Sequence, residues 1–223
     1  IKDQQLFNKI KSSVTALNTM FDALLNMSKL DAYSTQPENR TFELQDLANT
    51  IIEMVYAQAS NKGIQFNVRA DSVRVQGDPL LLQQILVNLV LNAIQYTAQG
   101  GVEVRFFTEK DALCFSVSDT GVGIEPSDQS QIFKEFYRVD RTRGEHEGLG
   151  LGLTIVARLC HLMGASVHVD SKPGEGSIFT VKTKCPMLTS DHLPGQVTPG
   201  PTTQTKGNGP SVLSGKHIAI VED

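Results

Sequence analysis

The stretch Asp78–Thr97, "DPLLLQQILVNLVLNAIQYT", decides the fold. Asp78 followed by Pro79 is the pattern of a helix N-cap with proline at the first helical position. Apolar residues then recur at spacings of three and four, which predicts an amphipathic helix from Pro79 to about Tyr96.

The segments on either side of this helix have the patterns of strands and of further helices. "IQFNVRA" and "SVRVQG" precede it, and "GGVEVRFFTEK" and "ALCFSVSD" follow it as a predicted hairpin. Two more helices are expected, from about Leu44 to Asn61 with Gly63 closing it, and over "LGLTIVARLCHLM", which ends at Gly164. A last strand pair, "SVHVDS" and "GSIFTVKTK", flanks the turn "KPGEG". We therefore predict an α/β (α+β) two-layer sandwich, a mostly antiparallel sheet with three helices on one face.

Composition limits the classes of partner. The 223 residues are 40% hydrophobic and 20% charged, with a net charge of −4, which argues against nucleic acid or an anionic membrane surface bound by bulk electrostatics. No apolar run approaches the roughly 20 residues that cross a bilayer. The three cysteines are too far apart for a metal motif, and they favour a reducing compartment. We expect a cytoplasmic fragment that starts at Ile1 and belongs to a longer protein, which could itself be membrane-anchored.

The two ends of the chain differ from its middle. Apolar residues near the N-terminus have the spacing of a coiled-coil seam, at Ile10, Val14, Leu17, Phe21 and Leu24. Residues 186–214 are rich in proline and glycine, which predicts a flexible linker. Residues 215–223, "GKHIAIVED" after Ser214, predict a short buried strand closed by two acids.

An acid and two glycines follow the second hairpin strand in "SVSDTGVGIEP", Ser116–Pro126. Asp119 stands where the strand leaves the sheet, and Gly121 and Gly123 permit a positive φ or the close approach of a ligand. A carboxylate in that place can accept a hydrogen bond from an amine donor. Taken alone, the motif is equally consistent with a surface turn.

Two further motifs carry polar or backbone groups suited to phosphate and metal. Asn88 and Asn92 are four residues apart and share one face of the apolar helix, and an asparagine oxygen is a suitable ligand for Mg²⁺. The alternative is that they cap neighbouring loops. In "EGLGLGL", a glycine-rich turn runs into a helix whose first N–H groups can bind phosphate. That turn matches neither the dinucleotide fingerprint nor the P-loop.

In the order NLVLNA, DTGVGI, IFKEFYR and GLGLGL, these motifs resemble the nucleotide-binding boxes of the histidine kinase catalytic domain in the GHKL ATPase superfamily. The resemblance extends from Phe42 to about Lys184, and it includes "IFKEFYRVD" as the phenylalanine box and "PGEGSIFTV" as the closing strand turn. "LLNMSKLDAY" resembles the end of a dimerisation hairpin. The implied domains are a truncated hairpin helix in residues 1–36, an ATP-binding domain in 42–185, the linker, and the first strand of a receiver domain in 215–223.

The resemblance implies ATP and Mg²⁺ as cofactors. Asp119 would accept from the adenine amino group, Asn92 would hold the metal with Asn88 beside it, and Phe133 and Phe136 would anchor the phosphate-covering lid. The remaining contacts would come from Tyr96, Gly121, Gly123, Arg138, Arg141, Gly148, Leu149, Gly150, Gly152 and Thr180. Two residues depart from the family: Gln95 stands where many relatives carry Lys or Arg, and Leu149 replaces a frequent Thr or Ser.

The residue types favour kinase over hydrolase chemistry. Hydrolytic members of the superfamily use a glutamate one turn before the magnesium asparagine, and this chain has Asn88 there. None of its five histidines lies on the N-terminal helix, so we expect the phosphoacceptor upstream of Ile1. The implied partners are a response regulator or the protein's own receiver domain, and a second copy joined through the hairpin, as in a hybrid sensor kinase. A nucleotide-binding regulatory module and an ATP hydrolase remain as alternatives.

Overall fold

The computed structural model describes residues 37–110, 112–139 and 150–188. The coiled-coil helix expected in residues 1–36 and the strand expected in 215–223 lie outside the described residues, as does most of the linker.

The described residues form seven strands and four helices. The strands are β1 Arg40–Glu43, β2 Gln65–Arg69, β3 Arg74–Gly77, β4 Gly101–Glu109, β5 Ala112–Asp119, β6 Ser166–Lys172 and β7 Gly176–Leu188. The helices are α1 Leu44–Asn61, α2 Pro79–Tyr96, the one-turn α3 Pro126–Gln129 and α4 Gly152–Leu162.

The strands form one sheet in the order β1-β3-β7-β5-β4-β2, with β6 also paired to β7. Within the described residues, β2 and β4 are the single parallel pair, and all other pairs are antiparallel. Helices α1, α2 and α4 pack on one face around a continuous apolar core. The predicted two-layer sandwich is therefore confirmed.

Helix α2 is the centre of the helical layer. Asp78 caps it, because its carboxylate accepts from the backbone N–H groups of Leu80 and Leu81 at 3.0 and 3.1 Å. By length and hydropathy α2 alone among the described helices qualifies as a candidate membrane span, yet seven of its residues are buried inside the domain. It is the core helix of a sandwich, packed against α1 and α4.

Three features differ from the sequence-based expectation. The short elements β1 and α3 are additional, and β1 pairs with β3 as an edge strand. Strand β7 continues to Leu188, three residues into the expected linker, because β3 offers a ladder there: Leu188 lies opposite Arg74 and Met187 opposite Val75.

Candidate nucleotide-binding site

Asp119 ends strand β5 with its carboxylate half-buried. It lies between Val102 of β4 and Ser177 of β7 in the sheet register. The backbone N–H of Gly121 donates to its Oδ1 at 2.8 Å. Burial raises the pKa of Asp119, and the hydrogen bond from the Gly121 N–H acts in the opposite direction. The carboxylate is therefore a hydrogen-bond acceptor that is held in place in a partly buried site.

The loop after Asp119 packs against the C-terminal end of α2. A Cβ on Gly121 would lie 2.5 Å from the carbonyl oxygen of Tyr96 and 2.8 Å from Asp119 Oδ1. The N–H of Val122 donates to the same Tyr96 carbonyl at 3.3 Å. Tyr96 therefore touches this loop through its backbone, and position 121 requires glycine for space.

The same loop also packs against the turn between β6 and β7. Gly123 has φ +67°, and a Cβ there would lie 1.9 Å from the carbonyl oxygen of Lys172. Ile124 N–H donates to Ser171 Oγ at 2.8 Å, and Gly174 N–H donates to the carbonyl of Val122 at 2.8 Å. The sequence interpretation assigned both glycines to the approach of a base; in the structure, protein backbone occupies the space that a side chain would need.

The two asparagines of α2 have different surroundings. Asn88 Nδ2 donates to the carbonyl of Gln84 at 2.8 Å, and its Oδ1 lies 3.5 Å from where a Cβ on Gly152 would stand. Asn92 is half-buried, and its side chain makes no hydrogen bond within the described residues. Because no described residue hydrogen-bonds to it, Asn92 Oδ1 is available to an added ligand.

Helix α4 begins beside Asn88. Gly152 is its first residue, and no side chain among the described residues caps its N-terminal N–H groups. Gly150 has φ +70°, and a Cβ there would lie 2.7 Å from the carbonyl of Tyr137. The glycine turn thus packs on the segment that contains Arg138, which is half-buried. Gly148, Leu149 and Arg141, predicted as nucleotide contacts, lie outside the described residues.

The two phenylalanines of the "IFKEFYR" motif behave differently. Phe133 is half-buried and meets Phe179 of β7 edge to face, with ring centroids 6.4 Å apart. Phe136 is 53% exposed and has φ +59°. Phe133 alone of the pair packs against the core.

The structure does not bring Thr180 to Asp119. Phe179 and Val181 face the helical layer and are almost fully buried, so Thr180 faces the opposite side of the sheet, between Ser116 and His168. Ser177 is the β7 residue beside Asp119, and the sequence interpretation missed it. Counting by twos from the apolar Phe179 would have found it, because residues two apart share a face.

Lys62 holds the end of α2. Its Nζ donates to the carbonyls of Ile94 and Gln95, both at 2.7 Å, and partial burial lowers its pKa. A cation at a helix C-terminus stabilises the last carbonyls. Lys62 therefore stabilises the last turn of α2, whose final residue, Tyr96, contacts the Asp119 loop through its carbonyl.

A carboxylate at the end of β5, an asparagine on α2 that makes no hydrogen bond to any described residue, and a glycine at the start of α4 are features of a nucleotide-binding sandwich of the GHKL class. Residues 77–187 match the family described as "Histidine kinase-, DNA gyrase B-, and HSP90-like ATPase". Residues 77–187 thus form a domain of this family, the ATP-binding catalytic domain of sensor histidine kinases.

Named relatives are signal transduction and sensor proteins. The chain is 33% identical over 226 residues to the signal transduction histidine-protein kinase BarA of Escherichia coli K12, covering 96% of this chain and 23% of BarA. It is 35% identical over 191 residues to the sensor protein GacS of Pseudomonas syringae pv. syringae, covering 82% of this chain and 21% of GacS. The chain thus spans under a quarter of the length of these relatives.

A solved structure shares the fold. Full-length ShkA, crystallised in complex with AMPPNP, superposes with a TM-score of 0.70 at 29% identity, covering 78% of this chain and 37% of ShkA.

Proposed function

We propose that the domain binds Mg²⁺-ATP between α2, the Asp119 loop and the start of α4, and that the whole protein transfers the γ-phosphoryl group to a histidine. The histidine would belong to a dimerisation hairpin, and the phosphoryl group would pass on to an aspartate of a response regulator or of the protein's own receiver domain. The observation that carries the proposal is Asn92, a half-buried amide without a hydrogen-bond partner in the described residues, on the helix whose end contacts the Asp119 loop.

Each residue of the site has a role that its chemistry supports. Asp119 accepts from the adenine amino group, because its carboxylate is half-buried and is held in place by the Gly121 N–H. Asn92 Oδ1 is a metal ligand, with Asn88 beside it, and a bound Mg²⁺ would neutralise phosphate charge. The N–H groups at the start of α4 bind phosphate oxygens. Further contacts are proposed from Tyr96, Phe133, Arg138, Arg141, Gly123, Gly148, Leu149, Gly150 and Gly152.

Transfer to a histidine suits the site better than hydrolysis. A general base must take a proton from the attacking water, and Asn88 has no carboxylate with which to do so. Its amide nitrogen is already donating to the carbonyl of Gln84. A site that positions phosphate without a base favours a nucleophile supplied by another domain.

The proposal includes the domain organisation. Residues 1–36 would end the dimerisation hairpin, residues 42–185 with the rest of β7 would form the catalytic domain, and residues 215–223 would begin a receiver domain after the linker 189–214. The protein would act as a homodimer, and this part of it would face the cytoplasm.

Calorimetry tests the site. We expect Mg²⁺-dependent ATP binding that weakens about 10- to 100-fold in Asp119→Asn, since a hydrogen bond to a charged group is worth about 1.5–3 kcal/mol. Asn92→Ala should weaken binding and remove most of its magnesium dependence. The controls are Asp71→Asn, in an exposed loop, and Asn49→Ala, on the exposed face of α1. Unchanged affinity in both site variants would refute the site.

Phosphotransfer tests the reaction. The chain is mixed with a separately supplied dimerisation hairpin that carries its histidine, together with γ-labelled ATP and Mg²⁺. Label on the hairpin, lost with Asn92→Ala, is the expected result. Label absent from the hairpin although ATP binds would instead indicate a regulatory nucleotide-binding module, and rapid steady release of free phosphate would indicate a hydrolase.

A further inference from the structure

Two exposed apolar side chains lie near the start of α2. Leu80, in the first turn, is 61% exposed, the largest exposed fraction among the large apolar side chains of the described residues, and Met54 of α1 is 46% exposed. Gln83 joins them, because its Nε2 donates to Met54 Sδ at 3.2 Å and it stands one turn after Leu80. We call these three residues the α1–α2 patch. Single exposed apolar residues are common in proteins, so exposure alone does not indicate a partner.

The chain enters the domain beside this patch. The backbone N–H of Glu38 donates to Asp78 Oδ2 at 2.9 Å, and Asp78 Oδ1 accepts from the N–H of Leu80 at 3.0 Å. Asp78 is more than nine-tenths buried, so one buried carboxylate binds both the start of α2 and the first part of the described chain. The N-terminal segment, residues 1–36, therefore leaves the domain next to Leu80.

The N-terminal segment contains apolar residues that its coiled-coil seam does not use. The alternating spacing of four and three continues to Ser28 and Asp31, which are polar. Leu30 and Tyr33 are three residues apart, so the predicted helix has them together on the side that faces away from the seam. Tyr33 is four residues before Pro37, which limits its distance from that residue to about 14 Å even in an extended chain. Both apolar side chains can therefore reach the patch.

We propose that the α1–α2 patch is the docking surface for the N-terminal segment of the same chain. Leu30 and Tyr33 pack on it, with Leu80 at the centre of the contact. Removal of apolar surface from water on both sides drives the association. The contact attaches the segment to α2, the helix that carries Asn92, and so sets the orientation of the segment relative to the proposed nucleotide site. It needs no nucleotide, and its test is independent of the proposed function.

Tryptic cleavage after Lys29, directly before Leu30, reports whether the segment is docked. The cleavage rate is measured by mass spectrometry on the full chain and on Leu80→Ser. We expect Leu80→Ser to raise the rate about tenfold, because cleavage follows the population of the undocked segment and the variant removes the central apolar side chain of the contact.

Two control variants separate docking from a general effect of the substitution. Ile178 is also an exposed apolar residue, at 45%, but it faces the side of the sheet opposite the helices, so Ile178→Ser should leave the rate unchanged. Leu80→Met keeps the apolar volume and should keep the protection. Circular dichroism checks that Leu80→Ser is folded.

Disulfide trapping tests the contact by a second route, which also serves if Leu80→Ser does not fold. Leu80→Cys is combined with Leu30→Cys or with Tyr33→Cys in the full chain, and mild oxidation should form a disulfide within one chain, because docking brings the Cα atoms within bonding range. The same N-terminal substitutions combined with Ile178→Cys should react at least about tenfold more slowly. The three native cysteines are buried and do not compete.

Several results would overturn the inference. These are a tryptic rate that is unchanged in Leu80→Ser, an equal increase in Ile178→Ser, or disulfides that form no faster with Leu80→Cys than with Ile178→Cys. A disulfide that links two chains would assign the patch to a second copy and would overturn the inference as well. Absence of ATP binding would refute the proposed function and would leave these results unaffected.

Discussion

Gly123 and Gly63 form a matched pair for measuring what the close packing of the Asp119 loop contributes. Their φ angles are almost identical, +67° for Gly123 and +66° for Gly63. A Cβ on Gly63 would meet nothing within 4 Å, whereas a Cβ on Gly123 would lie 1.9 Å from Lys172 O and 3.0 Å from Pro173 Cα. Alanine at the two positions therefore shares the backbone penalty and differs in the steric one.

The expected magnitudes follow from these two terms. A left-handed conformation costs an alanine about 1–2 kcal/mol, which is the whole expected loss in free energy of unfolding for Gly63→Ala. Forcing a methyl group into occupied space costs about 1–3 kcal/mol more, so Gly123→Ala should be less stable than Gly63→Ala by that difference. The neighbour that must move at position 123 is backbone, which cannot rotate away as a side chain can.

Urea denaturation of both variants, followed by far-ultraviolet circular dichroism, measures the difference, and ATP calorimetry accompanies it. Gly123→Ala should also weaken ATP binding, because the turn between β6 and β7 and the Asp119 loop must separate to admit the methyl group. Gly63→Ala should leave affinity unchanged. Equal stability of the two variants, with equal affinity, would refute the account of this contact.

Three other variants test separate parts of the structure. Asp119→Asn should raise the free energy of unfolding of the nucleotide-free protein at about pH 7, because burial raises the pKa of Asp119 and disfavours its ionised form. The gain should vanish near about pH 3, below the pKa of an aspartate in the unfolded chain. A gain that persisted at that pH in urea titrations would contradict a raised pKa. Lys62→Met should lower the free energy of unfolding by about 1 kcal/mol, because the hydrogen bonds to the carbonyls of Ile94 and Gln95 are lost. The control Lys134→Met, at an exposed position, should leave it unchanged. Equal effects of the two variants in chemical denaturation would show that Lys62 does not cap the helix. Phe133→Leu should lower the free energy of unfolding by about 0.5–1.5 kcal/mol, because the ring contact with Phe179 is lost. Phe136→Leu should change thermal stability little, because the Phe136 side chain is exposed. A larger loss for Phe136→Leu would show that Phe136, and not Phe133, is the anchoring ring.

Local sequence signals predict the long elements of this domain well. Helix α2 begins and ends where Asp78-Pro79 and the apolar spacing predict, because the cap and the periodicity are properties of the stretch itself. Strand β1 and helix α3 are too short and polar to give such a signal, and they form only where β3 and the Asp119 loop support them. The parallel pairing of β2 with β4 likewise depends on contacts across 36 residues of chain, Gln65 with Gly101.

The residues of the candidate site also divide into those that a local motif predicts and those that depend on contacts distant in the chain. Asp119, Asn88 and Asn92 are identified by motif, and the structure has Asp119 at the end of a strand and both asparagines on one helix, as the sequence predicts. The choice between Thr180 and Ser177 depends instead on the face of β7, which is set by its register with β5. The need for glycine at position 121 comes from the Tyr96 carbonyl, a neighbour 25 residues away in the chain that no local pattern reveals.

Strand β7 has consequences for how the protein is made. It is the last element in the described chain, and it pairs with β3, β5 and β6, so the strand that joins both halves of the sheet leaves the ribosome after all its partners. Pairings between residues as distant as Arg74 and Leu188 must wait for it, and contacts of such long sequence separation form slowly. A nascent chain that ends before Gly176 already carries Asn92 and Asp119 but not Ser177. The proposed nucleotide site is therefore completed only late in synthesis. A chain truncated before Gly176 would be a target for chaperones and proteases rather than a weaker form of the domain.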